Sequence, residues 1–411
     1  MPARSLSFRV TKPSSSADSF DHVTTATQLG LLVDRLATQP FLGFDTEFVS
    51  EHTYRSQLCL IQVAAPGVLA VIDTLAVAEL EPFWRLLTDP ARTTIVHAGR
   101  EEMGFILHAI GERPTQLFDV QLAAGLVDHD YPAGYAALVR RLLNLPTNKG
   151  ETRTDWRRRP LSDSQLDYAL DDVRYLEPMW RKLQAKLEAT GRSAWMATEM
   201  GSWQDDVAES FTRKRWRRVS GLSGLSRREL AVAQEVWHWR DAVAEQRDMP
   251  PKRVLRDDLL VELCKRKSAD PRQISAIRGM QRSDLRHILP GLADAIDRGL
   301  SLPDDECPGG EKHRAPPSHV AVLGQFMATA VAGMCRQMKI APALVGTASD
   351  MRDLLAWKLG YRDEDAPPPS LATGWRREVV GDLIDDLLSG KAALRVGNLN
   401  SSDPLVIDRG K

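Results

Sequence analysis

Four cysteines in 411 residues, Cys59, Cys264, Cys307 and Cys335, are too few and too scattered for a disulfide framework, and no C-x-x-C pair offers a zinc ribbon. That usage fits a reducing compartment. Excess charge of one sign is also missing. The formal net charge is −1, so any nucleic-acid binding must come from local patches rather than from a global field. No window approaches the length of a membrane span, and the first twenty residues hold no apolar core of a signal peptide. No Walker A, G-x-G-x-x-G or H-E-x-x-H string points to nucleotide, dinucleotide or zinc-protease chemistry. The chain therefore reads as cytoplasmic, without a membrane partner.

What is present is an ordinary globular composition, 43% apolar and 27% charged, at a length that implies two or three domains. The most informative stretch is Pro40 to Val63. An apolar run, Phe41 to Phe44, delivers two acids one residue apart, Asp45 and Glu47, and a second apolar run, Leu58 to Val63, returns as a hairpin partner would. On a strand, residues i and i+2 share a side, so both carboxylates converge at the rim of a greasy strand. Two like charges held there are costly without a cation. The pair alone leaves a second reading open, in which Asp45 caps a turn and Glu47 is solvated.

Strand-like runs continue at Gly67 to Thr74, Thr93 to Val96 and Gln116 to Leu122, interleaved with helical spacing around Glu79 to Leu87, from Gly99 and over Ala123 to Leu145. This order predicts an α/β fold with helices covering a mixed sheet. Ser162 and Gln165 have capping-box spacing, and apolar residues recur from Leu166 to Leu183, which predicts one helix running toward Gly191. Further helices are expected over Ser226 to Leu300, His319 to Leu359 and Thr373 to Leu388, in two small all-α units. Between those units, residues 301–318 are rich in Pro and Gly and read as a linker. Residues 1–20 read as a loose lead-in.

Two more stretches carry acids. Glu101 and Glu102 follow His97-Ala98-Gly99 at a helix start, where the helix dipole alone would favour them. Tyr168 and Asp172 are four residues apart on the capped helix, so they share a face; a hydrogen bond holding that helix to a neighbour would also account for them. Together, Asp45, Glu47, Glu102 and Asp172 are four carboxylates with no His or Cys spacing, which favours hard cations such as Mg²⁺ or Mn²⁺.

With FDTEF, the HAG block and the segment ETRTDWRRRPLSDSQLDYALDDVRYL, the chain resembles ribonuclease D, of the DEDD superfamily of 3′→5′ exonucleases, in the branch with Tyr in its third motif. The resemblance is close over Phe41 to Trp180 and looser beyond. It implies a ribonuclease H-like exonuclease domain at 21–210, an HRDC domain at 218–300 and a second HRDC-like helical domain at 319–400. It further implies two divalent ions held by Asp45, Glu47, Glu102 and Asp172, with Tyr168 orienting the attacking water. One departure matters. The family has Asp five residues after the motif His, where this chain has Glu102, longer by one C–C bond or roughly 1.5 Å.

Basic residues gather beside the third motif: Lys149, Arg153, Arg157, Arg158 and Arg159 stand against Glu151 and Asp155. Arg213 and Arg215, with Trp216, form a second patch. Arginine interleaved with aromatics suits single-stranded nucleic acid, although such runs are also found on solvated faces. The resemblance favours RNA 3′ ends, tRNA precursors first among them; the sequence does not give the oligomeric state, and a monomer is the expectation. The competing readings are a catalytically silent RNA-binding protein whose metal site Glu102 has spoiled, and a DNA exonuclease.

Overall fold

The computed structural model describes residues 19–128, 130–146, 154–212, 216–281, 287–308, 317–362, 366–401 and 403–409. Residues 1–18 of the expected lead-in and 309–316 of the expected linker lie outside the described residues. Six strands form one mixed sheet: β1 (Asp21–Val23), β2 (Phe41–Val49), β3 (Gln57–Ala65), β4 (Val68–Asp73), β5 (Thr93–Val96) and β6 (Leu117–Asp119). Their order is β1-β4-β3-β2-β5-β6. β2, β3 and β4 make an antiparallel meander, while β1, β5 and β6 join in parallel. β2 is interior, with a helical layer on each face, and its first four residues are all buried.

Helices α1 (Ala26–Ala37), α2 (Glu81–Leu87) and α3 (Arg100–Ile110) form one layer. Phe44 meets Phe83 of α2, and Phe48 meets Phe105 of α3, with ring centroids 6.2 and 5.6 Å apart. These contacts fix the even-numbered face of β2 toward that layer. α4 (Val120–Val127) and α5 (Tyr135–Leu138, followed by a π turn at Val139–Leu143) replace the continuous helix expected over Ala123 to Leu145. The intervening loop contains Pro132 and Gly134, neither of which sustains a helix. α6 (Asp163–Arg174), α7 (Leu176–Ala189) and α8 (Ser193–Thr212) complete the unit. The single helix expected from Ser162 toward Gly191 is thus two, jointed at Tyr175. Pro178 explains the joint, because it has no N–H for the Arg174 carbonyl and its ring crowds that carbonyl. The expected capping box is present, with Ser162 and Gln165 each bonding the other's backbone.

Residues 216–307 form a helical unit with its own core, built on the helix Arg227–Gln246, where Leu230 and Val236 pack with Leu260, Leu263, Leu292 and Ile296. It touches the β2–β3 loop: Tyr54 N–H donates to Asp248 at 3.1 Å, and Arg55 pairs with Glu245 at 3.0 Å. The first residues of the expected linker are fixed to this unit, since Arg228 donates to the carbonyls of Leu300 and Leu302, and Cys307 is buried.

The C-terminal helices pack differently. Their core is continuous with that of the sheet unit. Arg376 makes a two-pronged ion pair with Glu199 of α8, both contacts at 2.7 Å, and Trp375 Nε1 donates to the same carboxylate. The C-terminal region is helical, as expected, and ends in an added antiparallel hairpin of β7 (Ala392–Val396) and β8 (Leu405–Arg409). One expectation is corrected here. The helix Ser318–Met338 is long and apolar enough, by composition alone, to cross a membrane. In this fold one of its faces, with Val320, Met327, Val331 and Cys335, lies in the shared core.

Candidate active site

The site begins at Gly43. A Cβ there would lie 2.9 Å from Leu176 Cδ1 and 3.0 Å from Leu176 Cβ, so its absence lets the α6–α7 joint rest directly on β2. Asp45 and Glu47 follow on the same side of the strand. Asp172, one turn before Leu176, is thereby laid over Asp45. Tyr168, a further turn back, hydrogen-bonds Asp172.

Glu102 comes from the first turn of α3. The turn before it is tight: Ala98 has a left-handed φ of 55°, and a Cβ on Gly99 would stand 2.5 Å from Val96. The buried Asp119 carboxylate accepts from the N–H groups of Ala98 and Gly99, each at 3.1 Å, and from Gln121 of α4 at 2.8 Å. It thus joins two helix starts to one point and aims α3 at β2. Thr46, on the face opposite Asp45, then donates its hydroxyl to Glu102 Oε1 at 2.5 Å.

The four acids feel one another. Burial, then the charges of Glu102, Asp172 and Glu47, hold the Asp45 carboxyl well above its usual range. Burial, with Asp172 and Glu102, pushes Glu47 up to about 8. Burial is also the main reason that Glu102 rises to about 7, against the Thr46 hydrogen bond, and that Asp172 rises to about 7. Among the described residues none of the four acids is in an ion pair, and no three metal-ligating side chains already converge at ligand spacing. Glu102 is engaged with Thr46 and Asp172 with Tyr168. Such a buried, unpaired, all-oxygen cluster fits hard divalent cations.

Three contributors were not anticipated. Thr46 was overshadowed by the acids on either side of it, and Asp119 sits in a short, mostly apolar run. Tyr135 gave no sequence signal, yet its hydroxyl donates to the Asp171 carbonyl at 2.8 Å and accepts from Tyr175 N–H at 3.2 Å. It therefore pins the α6–α7 joint, backed by the His97 ring at 5.6 Å.

The expected RNA-binding residues fare unevenly. Arg158 is 85% exposed, and Arg157 is paired with Asp155 at 2.9 Å. Arg159 is corrected. Its guanidinium donates to Asp73 at 2.5 and 2.8 Å and to the carbonyls of Cys59 and Trp156, so its donors are already engaged. The Cys59 carbonyl belongs to a β-bulge opposite Glu47 and Phe48, which explains the need for that donor. Trp216 is corrected too. It is buried in the core of the second unit, with Arg217 stacked on its ring at 4.6 Å, and presents no face to a base. Arg213, Arg215, Lys149, Glu151 and Arg153 lie outside the described residues.

Residues 20–188 match the family model described as 3′-5′ exonuclease, and residues 229–296 match that of the HRDC domain. A relative from Gluconacetobacter diazotrophicus named Ribonuclease D is 33% identical, over 91% of this chain and 94% of its own length. One from Jannaschia sp., also named Ribonuclease D, is 34% identical over 90% and 96%. The chain belongs to the ribonuclease D family. The crystal structure of Escherichia coli RNase D, described as an exoribonuclease involved in structured RNA processing, superposes with a TM-score of 0.79 at 28% identity, covering 90% of this chain and 99% of that one. The activity class of the ribonuclease D family is 3′→5′ exoribonucleolytic hydrolysis, and the exonuclease match contains all four acids and Tyr168. The reading as a silent RNA-binding protein is not the one these relatives favour.

Proposed function

We propose that this chain trims 3′ ends of structured RNA precursors in the cytoplasm, tRNA precursors first among them, acting as a monomer with two divalent ions. The observation that carries the reading is the cluster of buried acids: burial first, and for Asp45 and Glu47 also the charges of their neighbours, raises the carboxyls of Asp45, Glu47, Glu102 and Asp172, and none of the four is in an ion pair among the described residues. Asp45, Glu47, Glu102 and Asp172 would hold Mg²⁺ or Mn²⁺. When bound, such a pair polarises the scissile phosphate and activates the attacking water. Tyr168 is held protonated by burial and by the charges of Asp172, Glu47 and Asp45, so it orients that water rather than removing its proton. Tyr135 and Asp119 keep α6 and α3 in register with β2. The exposed Arg158, at the end of the segment leading to α6, offers a phosphate contact on the path of the RNA tail. In this reading the exonuclease unit spans 21–210, and the HRDC unit at 218–300 and the helical unit at 319–400 hold the body of the RNA.

The test is a 5′-labelled tRNA precursor with a 3′ extension, incubated with Mg²⁺ or Mn²⁺, beside Asp45→Asn and Glu102→Asp. Stepwise loss from the 3′ end is expected, abolished in the first variant and by chelation, and kept or raised in the second. Bound but intact RNA would overturn the reading, and DNA degraded at the same rate would remove the RNA preference.

A further inference from the structure

Directly across the ladder from Asp45 stands Gln62 of β3. Opposed residues of an antiparallel pair point to the same face, with Cβ atoms about 4.5–5.5 Å apart. Gln62 is therefore on the side of Asp45 and Glu47, beneath α6. It is fully buried, and neither its amide nitrogen nor its amide oxygen has a hydrogen-bond partner among the described protein groups. Its neighbours along and across the strands are aliphatic: Leu60, Ala64 and Val71. Nothing in the packing of that face calls for an amide, since leucine or methionine would fill the same volume. A buried amide left unpaired is held at a cost. The residue directly opposite it on β2 is Asp45, whose carboxylate is an acceptor.

We infer that Gln62 is a positioning residue for Asp45, its Nε2 donating to that carboxylate and fixing its rotamer when the four acids hold divalent cations. The inference rests on the metal reading of the proposed function. Gln62 then acts as outer-shell hydrogen-bonding groups do at metal sites, where their loss weakens metal binding about 10–100-fold. Such a role has an unusual signature. The amide does nothing for the fold in the absence of metal, so replacing it leaves the chelated protein intact while weakening its hold on the ion.

The experiment titrates Mn²⁺ into the full-length protein, read by electron paramagnetic resonance, for wild type, Gln62→Met, Gln62→Leu and Asp45→Asn. Each is also melted in excess chelator. The expected result is a Mn²⁺ dissociation constant 10–100-fold higher in both Gln62 variants, with melting midpoints in chelator equal to or above wild type. Mn²⁺ affinity within threefold of wild type in Gln62→Met overturns the inference. A lowered midpoint in chelator for both variants does so as well, because it assigns the amide to the fold. If wild type itself fails to bind Mn²⁺, or Asp45→Asn binds it equally well, the metal reading falls and the role of Gln62 with it.

Discussion

Gly43→Ala tests whether the site is built by the seating of the α6–α7 joint on β2. The backbone tolerates alanine, since Gly43 is not among the residues with positive φ. The new Cβ would stand 2.9 Å from Leu176 Cδ1, whereas ordinary contacts begin at 3.4 Å, so the joint must retreat by 0.5 Å or more. Trimming Leu176 does not cure this, because its Cβ is itself 3.0 Å away. Overpacking of this kind costs about 1–3 kcal/mol, offset by about 0.4–1 kcal/mol from the stiffer unfolded chain, leaving a net loss of at most about 2.6 kcal/mol. A domain with about 5–15 kcal/mol of stability stays almost fully folded after that loss. Catalysis is less forgiving, since a displacement of about 1 Å costs roughly 100-fold. Half that movement of Asp172 and Tyr168 relative to Asp45 is expected to lower single-turnover cleavage of a 5′-labelled RNA by roughly 10–100-fold, with only a small shift in urea midpoint. A cleavage rate within threefold of wild type, or a loss fully accounted for by unfolded protein, would refute the reasoning.

Glu47 supplies a pH test. Its carboxyl, at about 8 in the fold against an ordinary 4.5, keeps a proton that the unfolded chain has already released, so metal-free stability from this group falls as pH rises between those values. Glu47→Gln removes the penalty; its melting temperature in chelator is expected to exceed wild type by a margin that grows from pH 5 to 8 and then levels. A margin that shrinks over that range contradicts the assigned cause. Thr46→Val leaves Glu102 without its hydroxyl donor, and steady-state assays are expected to show roughly a tenfold fall in kcat with KM for RNA unchanged. Arg159→Met strands the Asp73 carboxylate, which is 4% exposed, and is expected to cost about 2–4 kcal/mol in a urea melt without altering the salt dependence of RNA binding. Arg158→Ala should do the reverse, leaving stability within about 0.5 kcal/mol and lowering the salt slope of RNA binding by about 0.7.

The parts legible in the sequence are those whose local pattern and tertiary role agree. The β2–β3 hairpin, the strand at Thr93–Val96 and the Ser162 cap each follow from periodicity or capping chemistry alone. The four acids and Tyr168 were singled out by the motif blocks that carry them in order, and the fold sets them near one another at the end of β2. What stayed hidden depends on partners far along the chain. Arg159 and Trp216 look like surface groups in a basic run, and only the fold shows that Asp73 and the bulged Cys59 carbonyl claim the first while an apolar core claims the second. Gln62 sits in an apolar strand and Thr46 between two acids, and neither reveals its role until the register sets Gln62 against Asp45 and the start of α3 brings Glu102 to Thr46. The joint at Tyr175 was readable in principle, since Pro178 marks it, but the apolar spacing runs unbroken through the interruption. The β7–β8 hairpin contributes little burial and left a correspondingly faint pattern.

The seam between the nuclease and the last helices bears on how the whole chain is strung. Glu199, Arg376 and Trp375 weld residues beyond 317 to α8, while the intervening helical unit keeps a separate interior and meets the nuclease through the tip of one hairpin. That unit is an arm moored at both ends: the polymer leaves the nuclease after α8 and is returned to it by the helix that begins at Ser318. Because both of its covalent ends lead back to the nuclease, any displacement of that unit is bounded by two anchorages rather than one.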